Sequence, residues 1–298
     1  MSVRRAHKLQ HVVGLSFGRE PRRRPHRPTR PAEHAKVDAM DTPPVTEQRP
    51  NEWKAVPPGL YETVRERTLT ALEPQSAAVH LAWYYDREGN FAGSTFSELE
   101  PIVRDDITVA DLLATQLLFT RVGPRSTRRL LEHGTHREDV LAALRDEALN
   151  VELQVAGPET LEAMGRLHEA VKFALSSPSA KRSSPWVTAA KLCARKRPAL
   201  FPVRDNVVQK YLGLDKFRSY QIEYQLYRRL IGDTDVVEAL GQAKAYAPSI
   251  ESGRVRDLVI TEPILRVLDV ALWTHAKYGN SKPSEAAPVP DGQVDQVG

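Results

Sequence analysis

From Thr108 onward the chain is punctuated at short intervals by helix start and stop signals, which leave little room for anything but a helical array. Thr108-Val-Ala-Asp111 and Thr135-His-Arg-Glu138 each place a hydroxyl at a cap and a carboxylate three residues on, so that both side chains can close on backbone N–H groups. Gly157-Pro158-Glu159 and Ser184-Pro185-Trp186 put proline at a first helical position, where its missing N–H costs nothing. Asp205 precedes a segment, Asn206 to Leu212, that Gly213 ends, and Lys216 to Ile231 stops at Gly232. Asp233 or Thr234 opens a helix to Tyr246, and a last helix, Glu262 to Tyr278, stops at Gly279. One segment reads differently: Leu81 to Tyr85, a turn at Asp86 to Asn90 and then Phe91 predict a short β-hairpin. No internal repeat of solenoid period is present. The expected fold is mainly α, a compact multi-helix domain with one short hairpin and disordered termini.

Charge sets the limits of that domain. Residues 1–39 hold ten Lys or Arg against three Asp or Glu, a net +7, so the whole-chain value of +4 leaves −3 for the rest. The basic pI belongs to a tail, and it is poor evidence that the folded part binds nucleic acid. An Arg-, Pro- and His-rich stretch without apolar periodicity cannot offset the entropy of ordering itself. Residues 1–57 are therefore expected to be a disordered tail, basic and then Pro-rich, with a helical domain at 58–280 and a second tail at 281–298. No run approaches the roughly 20 apolar residues of a membrane-spanning helix, and the single cysteine, Cys193, has no internal partner. A cytoplasmic location without a membrane partner follows as the expectation.

One stretch stands apart from ordinary helix and loop. The stretch from Trp186 reads as a helix with a basic last turn, Arg195-Lys196-Arg197, then a connector held by Pro198 and Pro202, then a new helix capped by Asp205. Rigid placement of a carboxylate suits a working group as well as a structural cap.

The run Lys191-Leu-Cys-Ala-Arg-Lys-Arg-Pro198-Ala-Leu-Phe-Pro202-Val-Arg-Asp205-Asn-Val207, with Ile107 to Ala114 and Leu265-Arg-Val-Leu-Asp269-Val-Ala-Leu-Trp273, resembles an uncharacterised family of mainly helical bacterial proteins over residues 80–278. That resemblance carries no known activity. Over about 25 residues, Pro198-Ala-Leu-Phe-Pro202-Val203-Arg-Asp205 and its flanks also resemble helix-hairpin-helix DNA glycosylases, in which a helix leads through a similar connector to a catalytic aspartate. The second resemblance implies that Asp205 stabilises the cationic sugar formed as a damaged base leaves, that Lys191 attacks that sugar, and that the base is first flipped from the duplex. It also implies phosphate contacts, for which Arg195, Lys196 and Arg197 are the candidates. Two departures are plain: no glycine lies between Gly165 and Gly213 to form the family's hairpin, and Arg204 is inserted before Asp205.

Other candidates read as structural. Asp269 interrupts an apolar helix and calls for a buried partner, expected among the arginines near position 195. Tyr220, Tyr224 and Tyr227 share one helix face, as core packing requires and base stacking would also allow. His133 and His136 lack the further ligands of a metal site, and the phosphate-loop, dinucleotide and serine-hydrolase signatures are missing. No metal and no cofactor is expected. The two readings are a DNA-binding protein of glycosylase-like architecture, a hydrolase if an enzyme, with DNA as partner, and a non-catalytic helical module with a protein partner.

Overall fold

The computed structural model describes residues 48–176, 185–250 and 258–279, which hold twelve α-helices and no strand. The chain opens with α1 (Leu60–Ala71), α2 (Pro74–Tyr84), the single turn α3 (Thr95–Glu98) and α4 (Val109–Leu117). Next come α5 (Pro124–Leu131), α6 (Thr135–Leu144), α7 (Pro158–Leu175) and α8 (Trp186–Lys196). The last four are α9 (Asn206–Leu212), α10 (Tyr220–Gly232), α11 (Thr234–Tyr246) and α12 (Ile264–Tyr278).

Many boundaries follow from their end chemistry. Thr108 and Asp111 form the reciprocal box at the start of α4. Asp205 caps α9, and Gly213, at φ 75, ends it in the left-handed region that favours glycine. Asp233 closes α10 and caps α11 by accepting from Asp235 and Val236 N–H. At α6, Gly134 is the cap instead of Thr135, which is the first helical residue. The expected start at Lys216 moves to Tyr220, where Ser219 supplies a capping hydroxyl.

The expected hairpin is absent. Leu81 to Tyr84 is the last turn of α2, begun by the Glu73 cap and by Pro74. A short apolar run fits a strand or a buried helical turn equally well, and here Leu81, Ala82, Tyr84 and Tyr85 are all buried. The fold also starts earlier than residue 58. Trp53 is buried edge-on to Tyr220, and Gln225 donates to the Lys54 carbonyl. Residues 1–47 and 280–298, which hold most of the expected N-terminal tail and all of the C-terminal one, lie outside the described residues.

Packing centres on α12, in which every residue from Leu265 to Leu272 is buried. It lies against α2 and α9, while α8 is held between α7 and α4. That arrangement sets the α8 to α9 connector beside the middle of α12, as the Val203 N–H bond to the Asp269 carboxylate records. Among the described residues no helix is long and apolar enough to cross a membrane.

Candidate functional site

The cationic turn at the end of α8 faces inward. Arg195 Nε meets Asp111 Oδ1 at 3.1 Å, and Lys196 Nζ meets Asp111 Oδ2 at 2.9 Å. Arg195 also donates to the Phe96 and Leu99 carbonyls, and Lys196 to that of Val103. Arg197 donates to the Arg104 and Leu144 carbonyls and pairs with Asp105. All three side chains are buried. This corrects the expectation that they contact phosphate: the three side chains turn inward, onto Asp105, Asp111 and backbone carbonyls of residues 96–104 and Leu144. In the connector that holds Pro198 and Pro202, Leu200 and Phe201 N–H both return to the Arg197 carbonyl.

Lys191 and Asp205 do come together. Lys191 Nζ lies 3.2 Å from Asp205 Oδ2 and donates to the Leu118 carbonyl at 2.8 Å. Asp205 Oδ1 accepts the Val207 N–H at 2.9 Å, which is its capping bond. Each carboxylate oxygen has two lone pairs, so the cap and the ion pair leave acceptor capacity for a ligand. The Lys191 side chain is 3% exposed and that of Asp205 21%. Burial pulls the Lys191 ammonium below its usual range, and Asp205 offsets part of that loss.

These two groups lie in a cleft of about 40 Å³, lined also by Tyr84, Phe91, Phe119, Trp273, Arg266 and Asp269. The volume is room for about three water molecules. Phe119, at the end of α4, is 49% exposed and takes a φ of 58, an uncommon conformation for a bulky residue. A larger hollow of about 630 Å³ along α1, lined by Glu62, Glu66 and Glu73, is an open surface furrow holding none of the motif residues.

Asp269 is not paired with an arginine near position 195. Its Oδ2 accepts the Val203 N–H at 2.7 Å, and its charged neighbour is Arg266, one turn earlier on α12. Burial pushes the Asp269 carboxyl well above the usual carboxylate range, against the opposing pull of Arg266 and the Val203 N–H. Asp269 Oδ1 has no hydrogen-bond partner among the described residues. Arg266 itself donates to the Tyr84 hydroxyl at 2.7 Å.

The remaining candidates are part of the core. Tyr224 and Tyr227 are fully buried, and Tyr224 shares a hydrogen bond with His168 Nδ1. Cys193 is buried, and desolvation raises its thiol pKa. Among the described residues no group of three or more His, Cys, Asp or Glu could hold a metal ion. Sequence reasoning missed the part that Arg266, Tyr84 and Phe119 play in the cleft, and the positive φ of Phe119 leaves no residue-type signal.

Residues 77–276 match the model of a family described as a family of unknown function (DUF6308). No curated protein and no solved structure matches the chain.

Proposed function

The chain belongs to this family of unknown function, and from its cleft we propose a DNA-processing enzyme of glycosylase-like architecture that breaks the bond between a base and its sugar. The observation that carries this reading is the meeting of Lys191 Nζ and Asp205 Oδ2 at 3.2 Å on the wall of an aromatic cleft. Phe91, Tyr84 and Trp273 supply the apolar, stacking surface that a flipped base needs. Asp205 stabilises the positive charge that develops on the sugar as the base departs. Lys191, whose desolvation favours the neutral amine, attacks the sugar carbon. The cleft is smaller than a base as it stands, so Phe119 at its rim must swing aside for entry. The burial of Arg195, Lys196 and Arg197 favours the second reading, a helical module in which the connector is only a corner.

Incubating the full chain with duplex oligonucleotides that carry oxidised, deaminated or alkylated bases distinguishes these readings. The enzyme reading expects release of at least one such base, and a covalent adduct trapped by borohydride through Lys191. Asp205→Asn keeps a good cap residue and lowers turnover by roughly 10²-fold or more. A panel that stays inert, or an Asp205→Asn variant as active as the parent, rejects the enzyme.

A further inference from the structure

We infer that Asp269 is the proton donor of this cleft, a neutral carboxylic acid whose free Oδ1 delivers a proton to the departing base. The inference rests on the reading above only for the identity of the proton acceptor.

Three features point this way. Asp269 lines the same cleft as Lys191 and Asp205. Its side chain is locked, because Oδ2 accepts the Val203 N–H at 2.7 Å on the connector that leads to Asp205. Its Oδ1 is buried with no partner, and a buried polar atom left unpaired demands an explanation. A carboxylic acid that gains its partner when the cleft opens to a ligand provides one, since a proton on Oδ1 makes it a donor while Oδ2 keeps its acceptor role.

The groups around it set the charge. Arg266 lies on the same helix, and Glu223 and Tyr227 approach from α10. Tyr84 comes from α2, and Lys191 and Asp205 line the cleft from α8 and the start of α9. Glu223 and burial oppose ionisation, whereas Arg266 and the Val203 N–H favour it, and burial is the largest influence. Asp205 is more exposed than Asp269 and is paired with Lys191.

The chemistry balances. The base-to-sugar C–N bond breaks and its electron pair leaves with the base, which takes the Asp269 proton and departs neutral. The Lys191 amine forms the new bond to the sugar carbon and sheds one proton, which restores Asp269 to its acid form.

The test compares the full chain with Asp269→Asn, which keeps an acceptor for the Val203 N–H and therefore the fold; equal melting temperatures check this. The infrared difference spectrum at pH 7 should show the carbonyl band of a protonated carboxyl in the parent, lost in the variant. Adding adenine, hypoxanthine or uracil should move that band to lower frequency as Oδ1 gains an acceptor. On an oligonucleotide whose neutral base, deaminated or oxidised, the parent releases, Asp269→Asn should be roughly 10²-fold slower. An ionised Asp269 at pH 7, or a band that none of the three bases moves, overturns the inference. An inert oligonucleotide panel with a responsive band removes the glycosylase reading and leaves the proton donor standing.

Discussion

Removing the Asp111 carboxylate strands Arg195 and Lys196, two cations that are almost wholly buried and share its two oxygens. Breaking a buried pair from one side costs about 3 to 5 kcal/mol, because the remaining charge has no water to return to. Asp111→Ala is therefore expected to lose about that much in urea denaturation, and a loss below 1 kcal/mol would show that the network contributes little. The capping box at Thr108 made the position of Asp111 legible in the sequence, but not its load. That load arrives from residues 84 and 85 positions later in the chain, and no local pattern records it. The same distance explains the misreading of the Arg195 to Arg197 run. Three consecutive cations at a helix end are ordinarily solvated, and here backbone carbonyls from residues 96–104 and Leu144 consume them.

At the scale of elements, the contact between α7 and α10 carries an acid-sensitive joint. His168 on α7 is fully buried, accepts or donates at Tyr224 and stacks on Tyr220 at 4.7 Å between centroids. Burial, with Lys172 and Arg204 nearby, lowers its pKa from 6.5 to about 3. The folded protein thus holds a neutral imidazole where the unfolded chain takes up a proton, so stability is complete above about pH 6.5 and declines as pH falls toward 3. The melting temperature should drop over that window, and His168→Gln should flatten the drop; an equally steep decline in the variant would assign the acid sensitivity elsewhere. Helix ends were legible at Thr108, at Asp205 with Gly213, and at Asp233, where the capping side chain is local. The Leu81 to Tyr85 run was not, because strand and buried helical turn share its pattern and only the upstream start at Glu73 and Pro74 decides between them.

For the molecule as a whole, the proposed role of Asp205, held beside Lys191 by the connector, is to recognise the positive charge that builds on a sugar as its base leaves. The motif that holds both residues was legible in the sequence, whereas their contact and the cleft around them were not, since its aromatic walls come from α2, α12 and the segments after α2 and α4. With a net −3 after residue 39, the folded part supplies little non-specific attraction for phosphate, and its discrimination must come from the cleft. The most direct measurement is the affinity of the full chain, and of its Asp205→Asn variant, for an intact duplex and for one carrying a cationic abasic-site analogue, at several salt concentrations. The basic tail is common to every arm and cancels in the comparison. The account predicts a preference for the analogue of roughly tenfold or more, about 1.4 kcal/mol, that persists as salt rises and is lost in Asp205→Asn. Equal affinity for the two duplexes, or a preference that survives Asp205→Asn, would contradict it.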